Sequence, residues 1–218
     1  MKVGTDGVLL GAWVNVERSN RILDVGAGTG LIALMLAQRS EAQIVSIEIE
    51  KNAALEAEQN VKDSPWQKRV EVHNISFQEY ADANKELFDL IVSNPPFFEN
   101  SLPNRLYEKS LARHNHALPS RDFLRGTKRI LRNDGTLAVI LPVIPANDFI
   151  ELAKEYDLYL KRITEVKPRE NREANRCLME FSNSKIGTVK NTLCIFEDNE
   201  TGFSDEYRKL TGDFYLAF

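Results

Sequence analysis

Apolar and polar positions along the chain follow two periods in alternation and then only one. Asp6 reads as a cap, followed by a short apolar helix over residues 7–14. Residues 21–25 form an apolar strand that ends in glycines, and residues 29–39 a helix with Leu31, Leu34, Met35 and Gln38 at helical spacing. A β-branched strand over 43–47 ends at Glu48, and an alanine- and glutamate-rich helix over 52–62 stops before Pro65. Residues 70–73 are another strand. Residues 87–92 are an apolar run broken only by Asp89, which suits a strand buried on both faces. An amphipathic helix spans 123–131, the Asn133-Asp134-Gly135 turn leads into a strand over 136–141, and residues 148–156 read as a helix. After that the pattern holds strands alone, at 158–166, 174–181 and 192–197.

Strands alternating with helices predict an α/β fold: a doubly wound, mostly parallel, seven-stranded sheet, with the late strands added as an antiparallel C-terminal edge. In such a sheet ligands bind beyond the carboxyl ends of the strands. No repeat or linker divides the chain, so residues 1–218 are expected to form one domain. Apolar runs fall far short of the ~20 residues that cross a bilayer, and no secretory leader pattern opens the chain. Cys177 and Cys194 lack metal-ligand spacing, so neither a zinc site nor a disulfide framework is expected. The expected location is the cytoplasm.

The turn after the first strand is Leu23-Asp24-Val25-Gly26-Ala27-Gly28-Thr29-Gly30. Gly26, Gly28 and Gly30 let the backbone run close under a ligand, and Glu48, about twenty residues on, is placed to accept hydrogen bonds from ribose hydroxyls. The carboxylates separate the candidate cofactors. Asp24 repels a pyrophosphate and attracts the ammonium of a methionine, which points to S-adenosylmethionine. Leu31 stands where a dinucleotide fingerprint has its last glycine, against a nicotinamide-dependent oxidoreductase.

Asn94-Pro95-Pro96-Phe97 directly follows the buried strand, beyond its carboxyl end and facing the cofactor turn. An amine conjugated to a purine is a weak nucleophile because its lone pair is delocalised into the ring. The Asn94 side-chain oxygen and the Pro95 carbonyl can accept its two hydrogens, which returns electron density to nitrogen and aims the lone pair. Pro95 and Pro96 stiffen the elbow; such pre-orientation is worth up to ~7–11 kcal/mol. Phe97 offers a stacking face, worth ~1–3 kcal/mol per base. A sulfonium is already an activated leaving group, so no metal is required. His73, His114 and His116 are too scattered to form a site.

The net charge of −4 argues against a protein that coats nucleic acid indiscriminately. Its distribution is uneven. Arg105, Lys109, Arg113, Arg121, Arg125, Lys128, Arg129 and Arg132 face only Glu108 and Asp122 between residues 101 and 132. That stretch reads as a phosphate-facing patch, its densest part on the long irregular segment 97–120. A second cluster, Lys161, Arg162, Lys167, Arg169, Arg172 and Arg176, is diluted by Glu165, Glu170 and Glu173 and reads equally as a solvated face.

The glycine turn with its acidic second-strand end resembles the class I S-adenosylmethionine-dependent methyltransferase family. That resemblance implies that Asp24, Gly26, Gly28 and Gly30 surround the amino-acid part of the cofactor, Glu48 its ribose, and Asn94 its reacting end. Where the family usually has an acidic residue beside the adenine, this chain has Ser76, with Phe77 expected to cover the ring. Asn-Pro-Pro-aromatic motifs also occur in methyltransferases of DNA adenine, ribosomal-RNA guanine and protein glutamine, so the motif alone leaves the planar amine open. The opening Met1-Lys2-Val3-Gly4-Thr5-Asp6-Gly7-Val8-Leu9-Leu10-Gly11-Ala12-Trp13 resembles the signature of the bacterial tRNA1(Val) adenine-37 N6-methyltransferases. The likeness continues through Ser64-Pro65-Trp66, Asn94 to Phe97, and Ala112-Arg113-His114, and implies that Thr5, Asp6 and Gly7 close over the cofactor. Members usually carry a short segment before this signature, which here begins at residue 1. On this reading Arg105, Lys109 and Arg113 hold phosphates of a tRNA anticodon stem-loop, Arg129 and Arg132 extend the track, and the enzyme is a monomer. The alternatives are a methyltransferase of ribosomal guanine or protein glutamine, and a catalytically silent RNA-binding module.

Overall fold

The computed structural model of the protein describes residues 4–95, 118–197 and 202–216. Eight strands form one sheet in the order β3-β2-β1-β4-β5-β7-β6-β8. They are β1 (Arg21–Val25), β2 (Gln43–Glu48), β3 (Val70–Asn74), β4 (Phe88–Ser93), β5 (Leu131–Pro142), β6 (Tyr159–Lys167), β7 (Arg176–Ser182) and β8 (Val189–Cys194). Strands β1 to β5 run parallel, and β7 is antiparallel to both β5 and β6. The sheet has eight strands rather than the seven expected; β8, which overlaps the last strand read from the pattern, runs parallel to β6 at the edge.

The helices are α1 (Thr5–Trp13), α2 (Leu31–Arg39), α3 (Lys51–Lys62), α4 (Phe77–Ala83), α5 (Ser120–Ile130), α6 (Val143–Lys154) and α7 (Asp205–Thr211). Alternate strand residues feed two cores. Ile22, Ile44, Leu90, Val92 and Ile140 meet Leu9, Leu36, Val61 and Tyr207, from α1, α2, α3 and α7, on one face. Leu23, Val45, Ile91, Val139 and Met179 meet Phe77, Phe123 and Phe149, from α4, α5 and α6, on the other. Both faces are thereby covered, which is why Leu90, Ile91 and Val92 of β4 are apolar in succession. Among the described residues no helix is long and apolar enough to cross a membrane.

Several boundaries differ from expectation for identifiable reasons. Helix α1 starts at Thr5 with Gly4 at the cap position, so Asp6 lies inside the first turn, where Arg176 engages it, and is not the cap. Helix α4, absent from the periodicity reading, is set by a capping box: Glu79 N–H donates to Ser76 Oγ at 3.2 Å, while the Glu79 carboxylate reaches back to Ser76 N–H. Strand β5 starts at Leu131, not residue 136. Its register jumps between Phe88↔Leu131 and Leu90↔Thr136, so Asn133-Asp134-Gly135 bulges out within the strand rather than preceding it. Helix α6 begins at Val143 because Pro145 falls in its first turn, where a missing N–H costs nothing.

Candidate active site

Strand order reverses between β1 and β4, whose neighbours lie on opposite sides, and the crevice above such a switch point is where ligands bind. Val25 pairs with Ser93 at the carboxyl ends of these two strands, and the Ser93 hydroxyl donates to Val25 O at 2.8 Å. That bond fastens the elbow at Asn94 to the glycine turn at Gly26, one strand spacing (~4.8 Å) away. Asn94 and Pro95 are half-buried, and the Asn94 amide has no hydrogen-bond partner among the described residues. An amide so placed has an oxygen able to accept a hydrogen bond from a bound group. Pro96 and Phe97, as well as Arg105, Lys109 and Arg113, lie outside the described residues.

The glycine turn is held from below. Gly26 N–H and Ala27 N–H both donate to Ile47 O, at 2.9 and 3.0 Å. Gly26 has φ +74, and a Cβ built on it would meet nothing within 4 Å. Glycine is required there by backbone conformation, and the space above the turn is open. Gly28 N–H donates to Glu48 Oε2 at 2.8 Å, and Glu50 N–H to Glu48 Oε1 at 2.9 Å. Each Glu48 oxygen keeps a lone pair for a further donor, as ribose recognition needs. Asn74, which the sequence pattern does not single out, locks the neighbouring strand end by donating to Glu48 O and Ile49 O at 2.8 and 3.0 Å.

Asp24 departs from expectation. It is 0% exposed and points to α2, where Ala33 N–H donates to Oδ2 at 3.2 Å, while Oδ1 has no partner among the described residues. Burial pushes its carboxyl up to about 7; the Ala33 hydrogen bond opposes this and Glu48 adds to it. Asp24 is therefore a buried carboxyl beneath the loop rather than a group lining an open pocket. Ser76 is spent on capping α4, and its hydroxyl donates to Glu79 Oε2 at 2.6 Å. Phe77 is 4% exposed, with its ring 5.3 Å from that of Phe123, so it is a core residue with no face left to cover an adenine.

Residues 3–154 match the family described as Methyltransferase small domain. The chain belongs to this methyltransferase family. A protein of Trichodesmium erythraeum named tRNA1(Val) (adenine(37)-N6)-methyltransferase is 46% identical over 100% of this chain and 92% of its own length. One of the same name from Parabacteroides distasonis is 42% identical over 99% and 91%. Among solved structures, a predicted O-methyltransferase from Agrobacterium tumefaciens superposes with a TM-score of 0.75 at 22% identity, over 95% of this chain and 96% of that one. The last likeness bears on the fold alone.

In this methyltransferase the opening signature packs helix on helix. A Cβ on Gly7 would lie 3.2 Å from Leu31 Cδ2, and one on Gly11 2.8 Å from Met35 Sδ, so both glycines allow α1 to lie against α2. Gly7 is buried against Leu31 and Ile32 in the first turn of α2, and Thr5 is exposed. Trp13 Nε1 donates to Thr164 Oγ1 at 2.9 Å, anchoring the other end of α1 to β6. Arg129 and Arg132 are at the wrong end of the sheet for the track assigned to them. Leu131 pairs with Phe88 at the start of β4, whereas Asn94 follows its end, ~20 Å away at ~3.3 Å per residue. Both are engaged in ion pairs: Arg129 with Asp82 at 2.7 Å, Arg132 with Asp89 at 3.3 Å.

Proposed function

We propose that the protein transfers a methyl group from S-adenosylmethionine to N6 of adenosine 37 in a tRNA1(Val). On this reading it acts as a monomeric, cytoplasmic enzyme on the anticodon stem-loop, with residues 1–218 working as one unit. The observation that carries the reading is the Asn94 amide, unpartnered among the described residues and fastened through Ser93 to the glycine turn. The cofactor fits the residues present: open space above Gly26, carboxylate lone pairs at Glu48, and an orphaned buried oxygen on Asp24 beneath a site for a cationic methionine. The names of the relatives, over nearly full length, support the choice of nucleoside.

S-adenosylmethionine supplies an electrophilic methyl group on a sulfonium that departs as a neutral thioether. Asn94 Oδ1 and the Pro95 carbonyl accept the two N6 hydrogens of the adenine and hold its lone pair toward the space above Gly26. One of those hydrogens leaves as a proton to water once nitrogen has gained its fourth bond. Ser93 keeps the acceptors in register with the turn. A loop base is already partly unstacked, so drawing it into the crevice costs less than extracting it from a duplex.

The test is transfer of labelled methyl to total tRNA lacking the modification, followed by nucleoside analysis. N6-methyladenosine from the intact protein, reduced on the order of 10²-fold by Asn94→Ala, is the expected result. Methylated guanosine, or equal N6-methyladenosine from the variant, would overturn it.

A further inference from the structure

Strand register carries the second basic cluster to the same rim of the sheet as Asn94. Ser93 pairs with Val139 of β5, and three residues later Pro142 pairs with Arg176, the first residue of β7. Val166 of β6 also pairs with Arg176, so the β6–β7 turn, residues 168–175, projects beyond the carboxyl ends of the parallel strands. From β4, β7 is two strand spacings away and β6 three, or ~10 and ~14 Å. That is the width of a few nucleotides flanking a base held at Asn94.

The cluster divides into two kinds of residue. Lys161 and Arg162 belong to the interior: Arg162 donates to both oxygens of the buried Glu180, at 2.8 and 3.1 Å, and lies over the Trp13 ring, while Lys161 donates to Thr136 Oγ1. The turn itself is held in place. Ile195 N–H and Phe196 N–H donate to Lys167 O and Pro168 O at 2.9 and 3.0 Å, Arg172 N–H to Arg169 O at 3.0 Å, and the Arg169 guanidinium lies over the Phe196 ring. At its tip Arg172 is exposed, and its side chain has no partner among the described residues. At its base the Lys167 ammonium makes, among the described residues, only a long hydrogen bond, 3.4 Å, to Glu170 O.

Resting on the tRNA reading above, we propose that the β6–β7 turn, through Arg172 and Lys167, is a docking surface for the RNA sugar–phosphate backbone beside the reacting base. A rigid turn bearing an uncommitted guanidinium suits a phosphate, which a guanidinium binds in a bidentate fork. Glu170 and Glu173 on either side repel polyanions brought up in other registers, in keeping with a chain of net charge −4 that must hold one RNA loop without coating nucleic acid in general.

The test uses the full chain, with Arg172→Glu and the milder Lys167→Gln/Arg172→Gln pair, against an anticodon stem-loop RNA over a salt series. Arg172→Glu is expected to weaken RNA binding roughly fivefold or more, the scale of one exposed charge pair. The slope of log affinity against log salt should fall by about 0.7–0.9 for each phosphate no longer neutralised. Affinity for S-adenosylmethionine stays unchanged, and Arg129→Gln, at the far end of the sheet, leaves RNA affinity intact. Unaltered RNA affinity and slope in both turn variants, with the unsubstituted protein still methylating tRNA, overturn the docking surface alone. An equal loss with Arg129→Gln also overturns it, as a general charge effect. An unsubstituted protein that methylates no tRNA removes the functional reading and this proposal together.

Discussion

Arg176 Nε donates to Asp6 Oδ2 at 2.8 Å, joining residues 170 positions apart. The pair ties the first turn of α1 to the start of β7, so the opening signature is clasped to the rim that bears the glycine turn and Asn94. The sequence resemblance makes Asp6 a cofactor contact; in the folded chain its carboxylate serves first as one half of this clasp.

Because both partners are about a quarter to a third exposed, the clasp contributes little to global stability, on the order of 1 kcal/mol or less. Its effect should appear in cofactor affinity. Asp6→Asn and Arg176→Gln are each expected to lower the thermal midpoint by only about 1–3 °C while weakening S-adenosylmethionine binding several-fold. The charge-reversed pair, Asp6→Arg with Arg176→Asp, should recover part of that loss. Calorimetry showing cofactor affinity unmoved in all three would remove the clasp from the binding mechanism.

Asp24 sets a pH dependence. An unperturbed aspartate carboxyl titrates at 3.8 and this one at about 7 when folded, so between those values the folded protein keeps a proton that the unfolded chain releases. Stability must then fall as pH rises from about 4 to 7 and level off above. That difference corresponds to on the order of 4 kcal/mol. Asp24→Asn should lose this component, making the variant more stable relative to wild type at pH 8 than at pH 5 in denaturant melts. The same carboxyl should ionise when a cationic cofactor settles above it, releasing a proton near pH 7. Calorimetric titrations in buffers of differing ionisation enthalpy measure that release directly, and a buffer-independent heat would contradict it.

Gly126, in the middle of α5, faces Phe77. A Cβ placed there would lie 2.5 Å from Phe77 Cε1 and 3.2 Å from Ala81 Cβ, and the ring has nowhere to retreat because Phe123 packs against it. Gly126→Ala gains ~1 kcal/mol in helix propensity but incurs overpacking of ~1–3 kcal/mol. A net drop in thermal midpoint of a few degrees is expected; a rise would mean that α4 and α5 can part without cost.

The elements nearest the site are the most legible in the sequence. Strand β4 and the glycine turn each carry a strong local signal, a double-sided apolar run or a positive-φ requirement, and they fold where that signal puts them. What escapes a sequence reading is set by contacts distant along the chain. Nothing beside Asp6 announces Arg176, and nothing beside Arg132 says that Asp89 will claim it. Ser76 is a different kind of miss. The Ser76-Phe77-Gln78-Glu79 capping box is readable, but a family expectation for the adenine contact draws attention from it. The two basic clusters are separable only through strand register, which sends Arg129 to one end of the sheet and Arg172 to the other.

The hydroxyl of Ser93 has a wider consequence. By tying the end of β4 to the end of β1, it would, on the proposed mechanism, make the distance over which methyl must travel a property of two adjacent strands, insensitive to whatever RNA is presented. On that mechanism, bond-making and addressing reside in separate stretches of polypeptide. A scaffold arranged in this way can be given a new target by rewriting its rim, with the chemistry at its centre left untouched.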